Sequence, residues 1–207
     1  MKNNSERMTA NYCLKEGNEF LESGTKSDLM KAAKSFMRAY TAGYQKSHIG
    51  HIVEACKRLG HTRRLLAAME DDRKEKLITC VEAVTALSTA LEQDGGKILS
   101  KDDRCAVVKD IQLVSEEFFK SIDGLKDEVK VLSIRNFMQH LGNDRYIVNS
   151  SWIQTVFQAT QMELKLYLQA IRNSITNNDF KTALGYIAEL TASQDRASRL
   201  AVNREEE

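Results

Sequence analysis

The sequence predicts an all-α fold of about eight helices, arranged as an antiparallel α-hairpin array, a helical bundle, or one followed by the other. Three observations carry this. The 207 residues contain no proline, where ordinary usage of about 5% would supply about ten. Proline is costly inside helices but common in loops, so its absence points to long helices joined by short connections. Apolar residues recur at spacings of three and four, and no segment reads as a strand. Glycines fall where helices should end or turn, at Gly24, Gly43, Gly95, Gly96, Gly124 and Gly142.

Thr9 should open the first helix, with Tyr12, Cys13, Gly17, Phe20 and Leu21 on one side and Gly24 as its stop. Ser27 or Asp28 can cap the second, whose apolar face is Leu29, Ala32, Ala33, Phe36, Met37, Ala39 and Tyr40. The third opens at Ser47 and carries Ile49, Ile52, Val53, Cys56 and Leu59. In the fourth, Leu77, Val81, Val84, Ser88 and Leu91 step by four and three, close to a heptad seam, and Asp94-Gly95-Gly96 breaks it. Ser100 with Asp103 three residues on makes a capping-box-like start for the fifth, striped by Val107, Ile111, Val114 and Phe118. A turn at Asp123-Gly124 leads into the sixth, which Gly142 stops.

Residues 143–151 are the least regular stretch and read as a hinge. The seventh helix, from Trp152, is apolar on several sides through Val156, Phe157, Met162, Leu164, Leu166, Tyr167, Leu168 and Ile171, and such a helix is expected to be central. Residues 176–179 turn into the eighth. The terminal "NREEE" should fray. Short turns make neighbours antiparallel. Residues 1–70 are expected to form one module, and 71–207 a bundle packing on it or continuing it as one domain.

The stretch "LKEGNEFLESG…MKAAKSFMRAY" resembles a tetratricopeptide repeat, most clearly over residues 12–44. Gly17 and Ala32 match its small helix contacts, Phe20 its large first-helix residue, Gly24 its turn, and Phe36 and Ala39 its second helix. The turn is about three residues longer than the family's, and the repeat-ending proline is absent. Fragments of further copies stand at Leu59-Gly60 and at Asn178-Asp179-Phe180 with Ala183, Ile187 and Leu190. A single copy needs neighbours to bury its faces, so an unrelated α-hairpin or three-helix module is the alternative. The resemblance implies a non-enzymatic interaction domain. Some members clamp a partner's carboxylate tail with a lysine four residues before an asparagine. Asn18 fills the asparagine position, but Leu14 stands where the lysine belongs and Lys15 is one place off.

Charge is balanced at +1, from 30 basic and 29 acidic side chains, so no overall field points to nucleic acid or a membrane. Residues 1–70 carry 12 Lys/Arg against 7 Asp/Glu, while 71–207 carry 18 against 22. Cys13, Cys56, Cys80 and Cys105 are far apart, with no C-x-x-C pair. Together with a polar start and no apolar run of about 18 residues, they imply free, buried thiols in a reducing, cytoplasmic setting.

His48-Ile49-Gly50-His51 spells a nucleotide-binding signature of class I aminoacyl-tRNA synthetases. In those enzymes a strand leads into it and a helix start meets the phosphates. Here the preceding residues read as a helix and turn, and no parallel-sheet pattern exists, so the letters are taken as coincidence. His48, His51, Cys56 and His61 tempt as zinc ligands, but a second ligand pair from another element is missing. No catalytic residue, cofactor or metal is expected.

Lys57, Arg58, Arg63 and Arg64 are the densest basic cluster. With Lys15 and Asn18 they are the expected partner-binding residues. The expected function is an adaptor or scaffold that takes a helix or extended peptide, an acidic or helical segment, from another protein in a groove between α-hairpins. The alternative is RNA or a phospho-ligand bound by the basic first third, although interleaved aromatics for base stacking are missing there. Self-association through the stripes at 77–91 and 107–118 is a third expectation.

Overall fold

The computed structural model describes residues 9–141 and 150–202, with side chains described throughout except at 127–128, 141, 150–160 and 193–202. Gly142 and most of the expected hinge, like Trp152, Val156, Phe157 and "NREEE", lie outside the described backbone or side chains. Within that range there are eight α-helices and no strand: α1 Ala10–Ser23, α2 Lys26–Gln45, α3 Ile49–Ala68, α4 Arg73–Asp94, α5 Lys101–Ile122, α6 Asp127–Leu141, α7 Ser150–Thr176 and α8 Phe180–Val202. No described helix is long and apolar enough to cross a membrane.

Local chemistry sets the ends. Thr9, Asp72 and Ser100 cap α1, α4 and α5 with side-chain oxygens that accept from backbone N–H groups of the first turn. At α2 the cap is Thr25, not Ser27 or Asp28. The Thr25 hydroxyl accepts from the Asp28 N–H and donates to the Asp28 carboxylate at 2.9 Å, so Asp28 supports the cap without being it. At α3 the N-cap position is His48 rather than Ser47, with no side-chain capping bond, and Ser47 takes a left-handed φ of 52° in the turn. Gly24 and Gly95 end α1 and α4 in the left-handed conformation that costs glycine least.

The helices lie in two layers. α1, α3, α5 and α7 touch in sequence, and α4 touches α6 in the layer behind, while α1–α2, α2–α3, α3–α4, α4–α5 and α7–α8 pack as antiparallel neighbours. The largest interface is α3 on α4, and Gly60 makes it close: a Cβ there would meet Leu87 Cδ2 at 2.7 Å and its backbone nitrogen at 3.1 Å. At α5–α6 the contact is wide instead, because Phe118 stacks on Phe137 with centroids 4.1 Å apart and the rings hold the backbones away from each other.

The main core joins Val84, Leu87 and Leu91 of α4 to Val107, Ile111, Val114 and Phe118 of α5 and to Ile134 and Phe137 of α6. A second core fits Leu29, Ala32 and Phe36 of α2 against Leu59 and Leu66 of α3. Two expectations change here. The stripes at 77–91 and 107–118 pack on each other within one chain, so neither is open to a second chain. Among the described residues the most enclosed helices are α3, which touches α1, α2, α4 and α5, and α4, which touches α3, α5 and α6. α7 instead leaves Met162, Leu164, Leu168 and Ile175 exposed. An apolar side looks the same in sequence whether it meets the core or the outside.

Candidate functional site

The four cations singled out in the sequence all sit on α3, which runs unbroken through Gly60. Each meets a carboxylate. Lys57 Nζ lies 2.7 Å from Glu54 and 3.0 Å from Asp103 of α5, and Arg58 Nε is 2.8 Å from Glu54. Arg63 reaches Glu82 of α4 at 3.1 Å. Arg64 Nε is 2.7 Å from Asp110 Oδ1, an ion contact whose N–H is not aligned as a hydrogen bond, and the other oxygen of Asp110 is 2.7 Å from His61 Nδ1.

α3 and α5 run parallel, so Lys57 and Arg64, seven residues apart, meet Asp103 and Asp110, also seven apart. Hydrogen bonds from Ser100 and Lys57 hold the Asp103 carboxyl below its usual range. For Glu54, burial pushes upward, but Lys57 and Arg58 outweigh it and hold the group ionised. Four cations against four carboxylates leave no basic surplus on this face.

Lys15 is exposed on α1, and Asn18 is half-buried with its Oδ1 lacking a hydrogen-bond partner among the described residues. Neither pairs with the α3 cluster. His48-Ile49-Gly50-His51 forms the first turn of α3, entered from α2 through a turn, and lines a shallow hollow with Ser47. The His48 and His51 rings meet edge to face at 5.4 Å. Cys56 packs away from them with Ile52 and Ala90, and His61 is taken by Asp110. Among the described residues no three His, Cys, Asp or Glu side chains converge on a metal-sized site. Three cysteines are buried as expected, but Cys105 is exposed, on the outward side of α5.

A surface the sequence did not single out lies on the α7–α8 hairpin. Glu163, Tyr167 and Ala170 of α7 are buried, and Ala183, Tyr186 and Leu190 of α8 face them. Tyr167 meets Tyr186 edge to face and donates to Glu189 at 3.0 Å. At about 100° per residue, Leu164, Leu168 and Ile175 lie roughly a quarter-turn round α7 from its buried side. Phe180, Leu184 and Ile187 lie roughly a quarter-turn round α8 in the same sense. Because the helices are antiparallel, equal rotations bring both stripes to one face of the hairpin. The opposite face carries Leu166, packed on the main core, and Glu189, whose carboxylate takes Arg135 of α6 at 3.0 Å.

All six stripe residues are exposed, Phe180 at 59% and Leu184 at 66%. The missed signal was the spacing of 164, 168, 171 and 175 beside that of 180, 184 and 187. It is visible in sequence as apolar, but not as outward-facing. No family model, curated protein or solved structure matches this chain.

Proposed function

We propose that this chain is a non-enzymatic helical interaction module, an adaptor or scaffold, that takes a helix from another protein in the groove between α7 and α8. One observation carries the reading: six large apolar side chains open on a single face of that hairpin. At roughly 200 Å² for a fully exposed large side chain, they leave roughly 600 Å² of apolar surface to water, the upper end of what a monomer shows. Helix-in-groove recognition uses such a face, with anchors at three- and four-residue spacing.

The tetratricopeptide-like pattern of residues 12–44 belongs with the same reading, and four free cysteines suit a reducing, cytoplasmic setting. RNA or phospho-ligand binding by the first third would require Lys57, Arg58, Arg63 and Arg64 to give up the carboxylates they hold, which disfavours it.

A photoreactive benzophenone amino acid at position 168 or 184, with position 109 on α5 as control, tests the reading in cells. The expected result is a discrete adduct with another protein from 168 and 184 and none from 109. No adduct at the hairpin, or the same adducts at all three positions, would remove the groove from consideration.

A further inference from the structure

The rim of the α7–α8 groove differs in charge from the α3 face, whose cations are all matched. Continuing round α7 past Leu164 and Leu168, beyond Gln161, come Lys165 and Arg172, seven residues apart and close to one line. Continuing round α8 past Phe180 and Leu184, beyond Ala188, comes Lys181. All three are exposed, and Lys165 and Arg172 pair with no carboxylate among the described residues. This contrasts with α3, where every cation of the cluster is matched.

The carboxylates of the hairpin whose side chains are described are placed elsewhere. Glu163 is buried, Glu189 is turned to Tyr167 and Arg135, and Asp179 caps α8 by accepting from the Thr182 N–H at 3.1 Å. The groove is therefore an apolar floor with a cation on each outer edge.

We propose that the ligand of this groove is an amphipathic helix whose apolar stripe is flanked by acidic side chains. The proposal rests on the reading of α7–α8 as a docking face and adds the partner's chemistry. The floor from Leu164 to Ile175 is about 16 Å long, three turns of helix at 1.5 Å per residue. Glutamates or aspartates on both shoulders of a docked helix would reach Lys165 and Arg172 on one side and Lys181 on the other. A second copy of this chain is a poor occupant by the same logic. An isologous contact would set its Lys165, Arg172 and Lys181 rim against a like-charged rim.

The test uses the full chain and three synthetic helices of about 18 residues, long enough to cover the floor. They share one leucine stripe and differ only in flanking residues: glutamate, glutamine or lysine. Fluorescence anisotropy at about 50 mM salt should show the glutamate helix binding about ten-fold tighter than the lysine helix, with glutamine between. The gap should shrink as salt rises. Lys165→Glu/Arg172→Glu/Lys181→Glu should reverse the order, with circular dichroism confirming unchanged helicity.

Equal affinities, or an order the triple variant does not reverse, would overturn the acidic preference. If Leu168→Asp still abolished such charge-blind binding, the docking face would survive that failure. Binding untouched by Leu168→Asp would overturn both. A concentration-dependent dimer dissociated by Leu184→Asp would show that the occupant is a second copy and would also overturn the proposal.

Discussion

Phe36 of α2 occupies the space that a side chain at Gly17 of α1 would need. A Cβ at Gly17 would stand 2.5 Å from Phe36 Cε1 and 2.7 Å from Cδ1. Phe36 is fully buried among Leu29, Ala32, Leu59 and Leu66, so the ring has no room to retreat. Alanine at 17 gains about 1 kcal/mol of helix propensity and loses about 1–3 kcal/mol to overpacking. The loss should win. Gly17→Ala is expected to melt about 2–6 °C lower than wild type, and Phe36→Leu added to it should recover part of the difference. A higher melting temperature for Gly17→Ala would show that α1 and α2 are not this close.

The helices and most of their ends were legible because the signals are local. A 3.6-residue period needs only a short window, and Gly24 and Gly95 announce their left-handed stops by being glycine. Choosing among Thr25, Ser27 and Asp28 as the cap of α2 was not legible, since each carries a suitable oxygen. Nor could the sequence reveal that Lys57 would meet Asp103, 46 residues away, or His61 meet Asp110, 49 residues away. The basic cluster looked like a site because three of its four counter-charges, Asp103, Glu82 and Asp110, come from other helices. The α7–α8 face was hidden for the opposite reason. Leu164 and Leu168 read as sides of a central helix until the packing shows that they are left exposed.

Asp94 organises the α4–α5 connection. Its side chain is almost fully buried and accepts from the N–H groups of Gly96 (3.0 Å), Ile98 (2.7 Å) and Leu99 (2.6 Å) and from Arg104 Nη2 (2.8 Å). Burial alone would raise its pKa, but the Leu99 and Ile98 N–H groups and Arg104 outweigh that and lower it. A carboxyl depressed on folding contributes stability above its unfolded value, about 3.9, and that contribution is lost as pH falls through the folded value. Asp94→Ala should therefore cost about 3 kcal/mol near neutral pH. The gap between variant and wild type should narrow below about pH 4. Urea melts across that range would expose a constant gap, which would deny the carboxylate this role.

The thiols should divide sharply. Cys13, Cys56 and Cys80 are buried and Cys105 is exposed. Burial pushes the Cys56 and Cys80 thiols up to about 12, which removes the reactive thiolate at ordinary pH. A disulfide-exchange reagent at pH 8 should titrate one fast thiol in the native chain and all four in denaturant. Cys105→Ser should erase the fast phase. A fast phase that persists in Cys105→Ser would mean that a core cysteine is reached by local opening.

The ion pairs of α3 should be unequal in the stability they supply. Asp110 is the strongest single point, because its two oxygens contact Arg64 and His61 together, and the Arg64 and Asp110 side chains are 20% and 14% exposed. Among the described residues Arg58 makes its ion pair with Glu54 on its own helix, is 40% exposed, and so contributes little. Asp110→Ala strands Arg64 in a half-buried place and is expected to cost about 2 kcal/mol, a fall of about 4–8 °C in Tm. Arg58→Ala should stay within about 0.5 kcal/mol of wild type. A double-mutant cycle on Arg64→Ala and Asp110→Ala should return a coupling above about 0.5 kcal/mol, and Arg58→Ala should add to Asp110→Ala without coupling. Equal losses from Arg58→Ala and Asp110→Ala would mean that the face is loosely solvated. The α3 cations would then be as available to a partner as their sequence first implied.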